Sequence, residues 1–452
     1  MSYSKRNKRT TAATMQSVTA WVFLLLGLIG VLFALCALVA VRGQTTSRLS
    51  MWHLAFGLPG SELSTLLATI GVGLAIAGWS LGAGERLPGR TGLVLHGVAV
   101  VGLLWALWRA RGAGEVFDAA FRKAWGPDYR HEIAPSRRAL LERKLRPARW
   151  WKPFAFRHPA VDWKRHLPYV AGAHPQQYLD LLVPRVRASG PMPVLLNIHG
   201  GGWMIGRKGT QAMPLLMHLA SHGWLVVDAD YRLSPGARMP AHIVDVKQAI
   251  AWTRQHAAEY GGDPRFIAIT GGSAGGHLVA LAGLTGNQAQ LQPGFEAADT
   301  SVQVVIPFYG KYDMLGEHQP DPPFADFMEE KLMPGARHAH DALWRAMHPA
   351  THLRGVEAER APPILVLHGT HDQLISVAEA RWFVAELRKE YAGEVVYVEL
   401  PYAHHAWDLS HSLRGDFSVE ATQRYLEFQY ARWCRRHGVE PTSSQVPGSG
   451  AP

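Results

Sequence analysis

Hydrophobic and polar positions divide the chain into two regimes. In the first, residues 20–41 form an uncharged run of about 22 residues, long enough at 1.5 Å per residue to cross a hydrocarbon core of roughly 30 Å. Residues 63–84 and 91–108 are two further uncharged runs, parted by the polar turn Glu85-Arg86-Leu87-Pro88-Gly89-Arg90. A soluble helix carries a polar face, and these carry none beyond His96 and scattered Ser, Thr and Gly. The pattern therefore predicts three transmembrane helices, 20–41, 63–84 and 91–108, with Gly71, Gly73, Ala75 and Ala77 small enough to let neighbours approach. The first run is longer than the core of a cleavable leader, and no small-x-small site closes it.

In the second regime short apolar runs alternate with longer amphipathic stretches, the signature of strands and crossover helices in a mostly parallel sheet. Strands are predicted at 179–183, 194–199, 225–231, 266–270, 302–307, 364–368 and 395–400, and helices at 241–260, 275–283, 377–391 and 419–436. The α/β class follows, with a catalytic unit at 171–438. Residues 310–360 mix Phe324, Phe327, Met328, Leu332, Met333 and Trp344 with many charges and read as a cap with an apolar acyl pocket. A connector at 109–170 is rich in Arg, Lys, Trp and Phe. There Phe117, Phe121 and Trp125 share one helical face, which suits either a lipid headgroup layer or packing on the next domain. A basic N-terminal tail, 1–19, and a Ser-, Gly- and Pro-rich tail expected to be disordered, 439–452, complete the chain.

Charge sharpens the picture of the partner. The net charge of +10 and pI near 9.6 fit nucleic acid or an anionic membrane surface. Basic residues flank the apolar runs and no nucleic-acid-binding motif occurs, so the lipid membrane is the expected partner and nucleic acid is not. Six basic residues fall on each side of three spans, which leaves the side of the catalytic unit open. The two cysteines, Cys36 and Cys434, make no disulfide framework.

Candidate chemistry sits at the ends of the strands. Gly271-Gly272-Ser273-Ala274-Gly275 follows one strand and opens a helix, the context of a nucleophile elbow, where a strained serine needs neighbours without Cβ atoms. His199-Gly200-Gly201-Gly202-Trp203 follows another strand and exposes backbone N–H groups. With the N–H of Ala274 these can face an oxygen that becomes anionic during acyl transfer. In this architecture an acid and then a base follow the serine near the last strands. Asp372 occupies the first place, and His405 the second, with His404 its main competitor and His368 and His371 weaker ones. Asp313 and Asp408 read as surface or capping residues. No Cys/His cluster with metal spacing, P-loop or dinucleotide fingerprint occurs, so the reading requires no metal and no cofactor.

Over about residues 178–435 these motifs resemble the hormone-sensitive-lipase-like carboxylesterases and lipases of the α/β-hydrolase superfamily. His199–Trp203 resembles that family's HGGG loop, and Gly271–Gly275 its GxSAGG elbow. Asp230-Tyr231-Arg232-Leu233-Ser234-Pro235 is similar to DYRLAPE, with Ser for Ala and Gly236 for Glu. His368-Gly369-Thr370-His371-Asp372 resembles the HGxxD acid loop, and His405-Ala406-Trp407 the base followed by a small residue and an aromatic, a pattern His404 does not fit. The resemblance implies an α/β-hydrolase fold with a catalytic triad of Ser273, Asp372 and His405 and an oxyanion hole of Gly201, Gly202 and Ala274. The expected activity is serine ester hydrolysis on a substrate with an apolar acyl group. Acyl transfer or deacetylation on a cell-envelope or lipid acceptor is the alternative, and an inactive binding protein on the same fold is disfavoured by the intact set. A chain starting near Gly112 is expected to be catalytically competent.

Overall fold

The computed structural model describes residues 2–40, 48–141, 145–186 and 190–442. Arg42 and the tail beyond residue 442 lie outside them, as do the side chains of residues 2–13, among them Lys5, Arg6, Lys8 and Arg9.

Four helices build the N-terminal region: α1 (Ser2–Leu38), α2 (Arg48–Glu62), α3 (Ser64–Ser80) and α4 (Leu87–Ala110). The stretches 14–38 and 87–125 are long and apolar enough to cross a membrane, with mean hydropathy 2.8 and 1.8. α3 qualifies only together with α2, from which it turns by 88° at Leu63. α2 has no counterpart among the three runs picked out by hydropathy, because His53, Pro59, Ser61 and Glu62 interrupt its apolar character. α1 begins at Ser2, inside the segment assigned to a basic tail.

Small residues do bring the helices together, but not all of those first singled out. A Cβ on Gly73 would meet nothing within 4 Å, whereas one on Gly92 would fall 2.6 Å from the Phe23 carbonyl carbon, so α1 and α4 cross backbone to backbone.

A sheet of eight strands follows: β1 (Val161–Pro168), β2 (Tyr178–Pro184), β3 (Met192–Ile198), β4 (Leu225–Ala229), β5 (Gly262–Gly272), β6 (Val304–Phe308), β7 (Ile364–Gly369) and β8 (Val395–Leu400). Its order is β1-β2-β4-β3-β5-β6-β7-β8, antiparallel at the β1–β2 and β2–β4 pairs and parallel elsewhere. β1 lies in the segment read as connector, so the sheet starts before residue 171. It is an edge strand with only Val161 buried, and its sequence Asp-Trp-Lys-Arg-His offers no apolar run.

Alternate strand residues feed two cores, as the period-2 geometry requires. On one face Leu196, Ile198 and Ile269 meet α7 (Ala241–His256), α8 (Ala274–Leu284) and α9 (Val377–Glu390). On the other, Leu195, Ala268 and Leu365 meet α5 (Ala113–Trp125), α6 (Met213–Ser221) and α10 (Leu413–His437).

Of the two settings open to the Phe117, Phe121 and Trp125 face, the structure takes packing on the domain. Phe117 and Phe121 are buried, and Trp125 stacks on Phe428 of α10 at 4.1 Å. Within residues 310–360, Phe324, Met328, Leu332, Met333 and Trp344 are buried in the first core beside a half-buried Phe327, and Phe324 and Trp344 also line a cavity with Lys311 and Asp313.

Candidate active site

β5 is central, and its C-terminal end delivers Ser273 at the turn into α8. The serine sits at φ 58° and ψ −119°, a conformation L-residues avoid. The flanking glycines explain how the turn is reached. A Cβ on Gly271 would lie 2.6 Å from Ile198 O, and one on Gly275 only 2.2 Å from the same oxygen. The Ser273 N–H donates to Phe308 O at 2.9 Å, which pins the elbow to β6.

The glycine loop after β3 lies directly against this elbow: a Cβ on Gly200 would be 3.0 Å from Ser273 Cβ. Gly200 N–H is committed to Gln211 Oε1 at 2.6 Å. Gly201 and Gly202 adopt φ +118° and +59°, and the Gly201 carbonyl accepts from Met204 and Ile205. The N–H groups of Gly201, Gly202 and Ala274 have no hydrogen-bond partner among the described residues. Unsatisfied donors are uncommon where chain is buried, and these three flank one serine. His199 is buried below the loop, its ring 4.5 Å from Tyr231, and the Tyr231 hydroxyl donates to His199 O. Desolvation lowers the His199 pKa, so the ring acts as a neutral brace. Gly236, where the DYRLAPE resemblance breaks, is exposed, and a Cβ there would make only ordinary contact at 3.5 Å.

Asp372 and His405 come from the loops after β7 and β8. His405 Nδ1 donates to Asp372 Oδ2 at 2.7 Å, while Leu374 and Ile375 N–H groups donate to Oδ1 at 2.9 and 2.8 Å. His368 Nε2 lies 2.9 Å from Ile375 O and 3.3 Å from Asp372 Oδ2, so a second imidazole faces the same carboxylate. Burial alone would raise the Asp372 pKa. The charge of His405 and the hydrogen bonds from both imidazoles more than offset it and hold the carboxyl well below the usual range.

Ala406, after the base, has φ +63°, which suits a small residue there, and Trp407 fixes the loop by donating to Ser418 Oγ on α10. His404 points elsewhere. It is fully buried against the N-terminal helices, 3.4 Å from Ala37 O, and desolvation pushes its pKa down to about 3. His371 also faces that region, 3.4 Å from Leu38 O.

Tyr309 is the residue sequence reasoning missed. Its ring is 4.7 Å from that of His405, and a Cβ on Gly272 would lie 2.6 Å from its hydroxyl, so it joins the base loop to the elbow. That hydroxyl donates to Asp408, which is therefore not a surface or capping residue, and burial raises the Asp408 pKa. Asp313 does accept three loop N–H groups, from Glu317, His318 and Gln319. The one available signal for Tyr309 was its position just past β6. Cys36 and Cys434 are both free. Among the described residues no group of His, Cys, Asp and Glu is arranged to hold a metal ion.

Comparison with known proteins adds an independent line. A family model described as BD-FAE matches residues 179–387. The chain is 38% identical over 375 residues to esterase LipQ of Mycobacterium tuberculosis, covering 79% of this chain and 85% of that one. It is 34% identical over 366 residues to esterase LipC of the same organism, covering 76% and 88%. To probable carboxylic ester hydrolase LipM it is 45% identical over 259 residues, spanning 57% of this chain and 59% of LipM. Esterase B from Lactobacillus Rhamnosis superposes with TM-score 0.53 at 21% identity, over 72% of this chain and 99% of that one, a likeness of fold.

Proposed function

This chain belongs to the α/β-hydrolase carboxylesterases and is a carboxylic ester hydrolase, and from that premise we propose that Ser273, His405 and Asp372 are its catalytic triad, with Gly201, Gly202 and Ala274 as oxyanion donors. The observation that carries the reading is the 2.7 Å bond from His405 Nδ1 to an Asp372 carboxylate held ionised, which leaves Nε2 as the proton-accepting nitrogen. His405 takes the Ser273 proton as Oγ attacks the ester carbonyl. The carbonyl oxygen becomes anionic and is held by the three free N–H groups and the N-terminal end of α8. His405 then returns the proton to the leaving alcohol. Water, deprotonated by the same imidazole, releases the acid and restores the serine.

The oxyanion assignment is tested by paired glycine variants. In Gly201→Ala the new Cβ would fall 2.0 Å from Ile205 O at φ +118°, so the loop must move and its donors with it. The expected result is a kcat for a short p-nitrophenyl ester about 10²–10³ lower, the loss for one misplaced donor, with KM little changed. Gly202→Ala, whose Cβ meets nothing within 4 Å, should lose clearly less. Equal and near-wild-type rates in both would remove the glycine loop from the mechanism.

The N-terminal helices are read as a membrane anchor, α1, α3 and α4 crossing the bilayer and α2 turned from α3 towards the plane of its surface. What supports this is the apolar exterior: Trp21, Leu25, Ile76, Trp79, Val94 and Val101 are all exposed. Full-length protein should therefore stay in the membrane pellet through alkaline carbonate and high-salt washing, because the attachment is hydrophobic. Its appearance in the supernatant would show that these helices do not span.

A further inference from the structure

We propose that the N-terminal helices clamp the acid and base loops, with Glu62 of α2 and Gly57 as positioning residues for Asp372 and His405. The inference rests on the triad reading above, and it departs from the expectation that the chain works from Gly112 onward.

Among the described residues, the hydrogen bonds, ion pair and ring contacts named below cross this boundary beside the acid, the base or the start of α10. Next to Asp372, His371 Nε2 reaches Leu38 O at the end of α1. Next to His405, the His404 ring packs 5.6 Å from that of His53 on α2 and reaches Ala37 O. Gly57 allows this approach, since a Cβ there would lie 2.8 Å from His404 Cε1. The Arg109 guanidinium of α4 stacks 4.2 Å over Tyr402. Past the base, Ser412 Oγ donates to Glu62 Oε2 at 2.7 Å, and Arg414 pairs with Glu62 Oε1 while donating to Ser61 Oγ at 2.8 Å. The Arg414 and Glu62 side chains are 1% and 3% exposed.

A tether needs none of this. Burying a carboxylate and a guanidinium is costly unless each finds partners, and here Glu62 finds Arg414 and Ser412 where they tie α2 to the first turn of α10. The loops are also tied to each other, Tyr402 N–H to Thr370 Oγ1 at 2.7 Å and His371 N–H to Ala403 O at 3.0 Å, so a shift at His404 reaches both, and a shift of α10 at Ser412 reaches the base loop through the Trp407 bond to Ser418 Oγ. Displacing a catalytic group by about 1 Å can lower a rate about 10²-fold.

The test uses the full chain in detergent and a short, soluble p-nitrophenyl ester, with a melting curve for each variant. Glu62→Gln/Arg414→Gln removes both charges together and strands neither. Gly57→Ala drives a methyl group to 2.8 Å from His404 and 3.0 Å from the Cys36 carbonyl oxygen, and His404→Ala in the same chain removes the closer of the two contacts. The clamp requires a kcat at least tenfold lower in the charge-pair variant and in Gly57→Ala, with KM within about twofold and melting temperature retained. It also requires that adding His404→Ala to Gly57→Ala recover most of the loss, which a general weakening of the fold would not do. Folded variants with kcat within twofold of wild type would overturn the proposal, and so would a Gly57→Ala defect that His404→Ala leaves untouched. Ser273→Ala, run alongside, separates the two readings: if it stays active the triad has failed, and if it is dead while the clamp variants are normal only the clamp has.

Discussion

Alanine at position 273 is expected to lower kcat for a short ester by several orders of magnitude, approaching the roughly 10⁶-fold measured for triad knockouts in another serine hydrolase. The substitution removes one oxygen and keeps the Cβ, so it meets the same strained φ of 58° and the same packing between Gly271 and Gly275. The Ser273 N–H bond to Phe308 O is a backbone bond and survives. Stability should therefore stay close to wild type while the covalent route closes. Residual turnover above about a tenth of wild type would mean that the nucleophile lies elsewhere.

The second large effect separates two adjacent histidines. His405→Ala should abolish turnover, because it removes both the proton acceptor and the partner of Asp372 Oδ2. His404→Ala should keep most of it, because that ring faces His53 and the end of α1 rather than the serine. The pH profile of the His404 variant follows. His404, with its pKa pushed down to about 3, is neutral throughout the working range. Asp372, held below the usual carboxylate range, stays ionised through the acid limb. Neither His404 nor Asp372 therefore shapes the acid limb, and the profile should have the same shape in wild type and in His404→Ala. An inactive His404 variant beside an active His405 variant would move the base by one residue.

How far the sequence alone could lead depends on what each feature leaves in the local pattern. Strands β2 to β8 are legible because strands buried on both faces are short apolar runs between turns. The elbow and the glycine loop are legible because steric demands at Ser273 and Gly200 leave glycines at fixed places. β1 escapes because an edge strand with one buried residue needs no hydrophobic run. α2 escapes because the features that tie it to the catalytic domain, His53, Ser61 and Glu62, are the ones that break its apolar pattern. The contact of Tyr309 with Gly272 and Asp408, and the pairing of Glu62 with Arg414 across more than 350 positions, are long-range juxtapositions that no local pattern records.

One measurement bears most directly on the central claim: reaction of the full-length protein with a fluorophosphonate, followed by mass mapping of the adduct. A fluorophosphonate captures only a serine activated by its base and oxyanion donors, so it reads nucleophile, imidazole and glycine loop together. The expected outcome is one adduct, on Ser273, formed in step with loss of esterase activity and absent from His405→Ala. An adduct on another residue, or full inhibition with Ser273 unmodified, would contradict it.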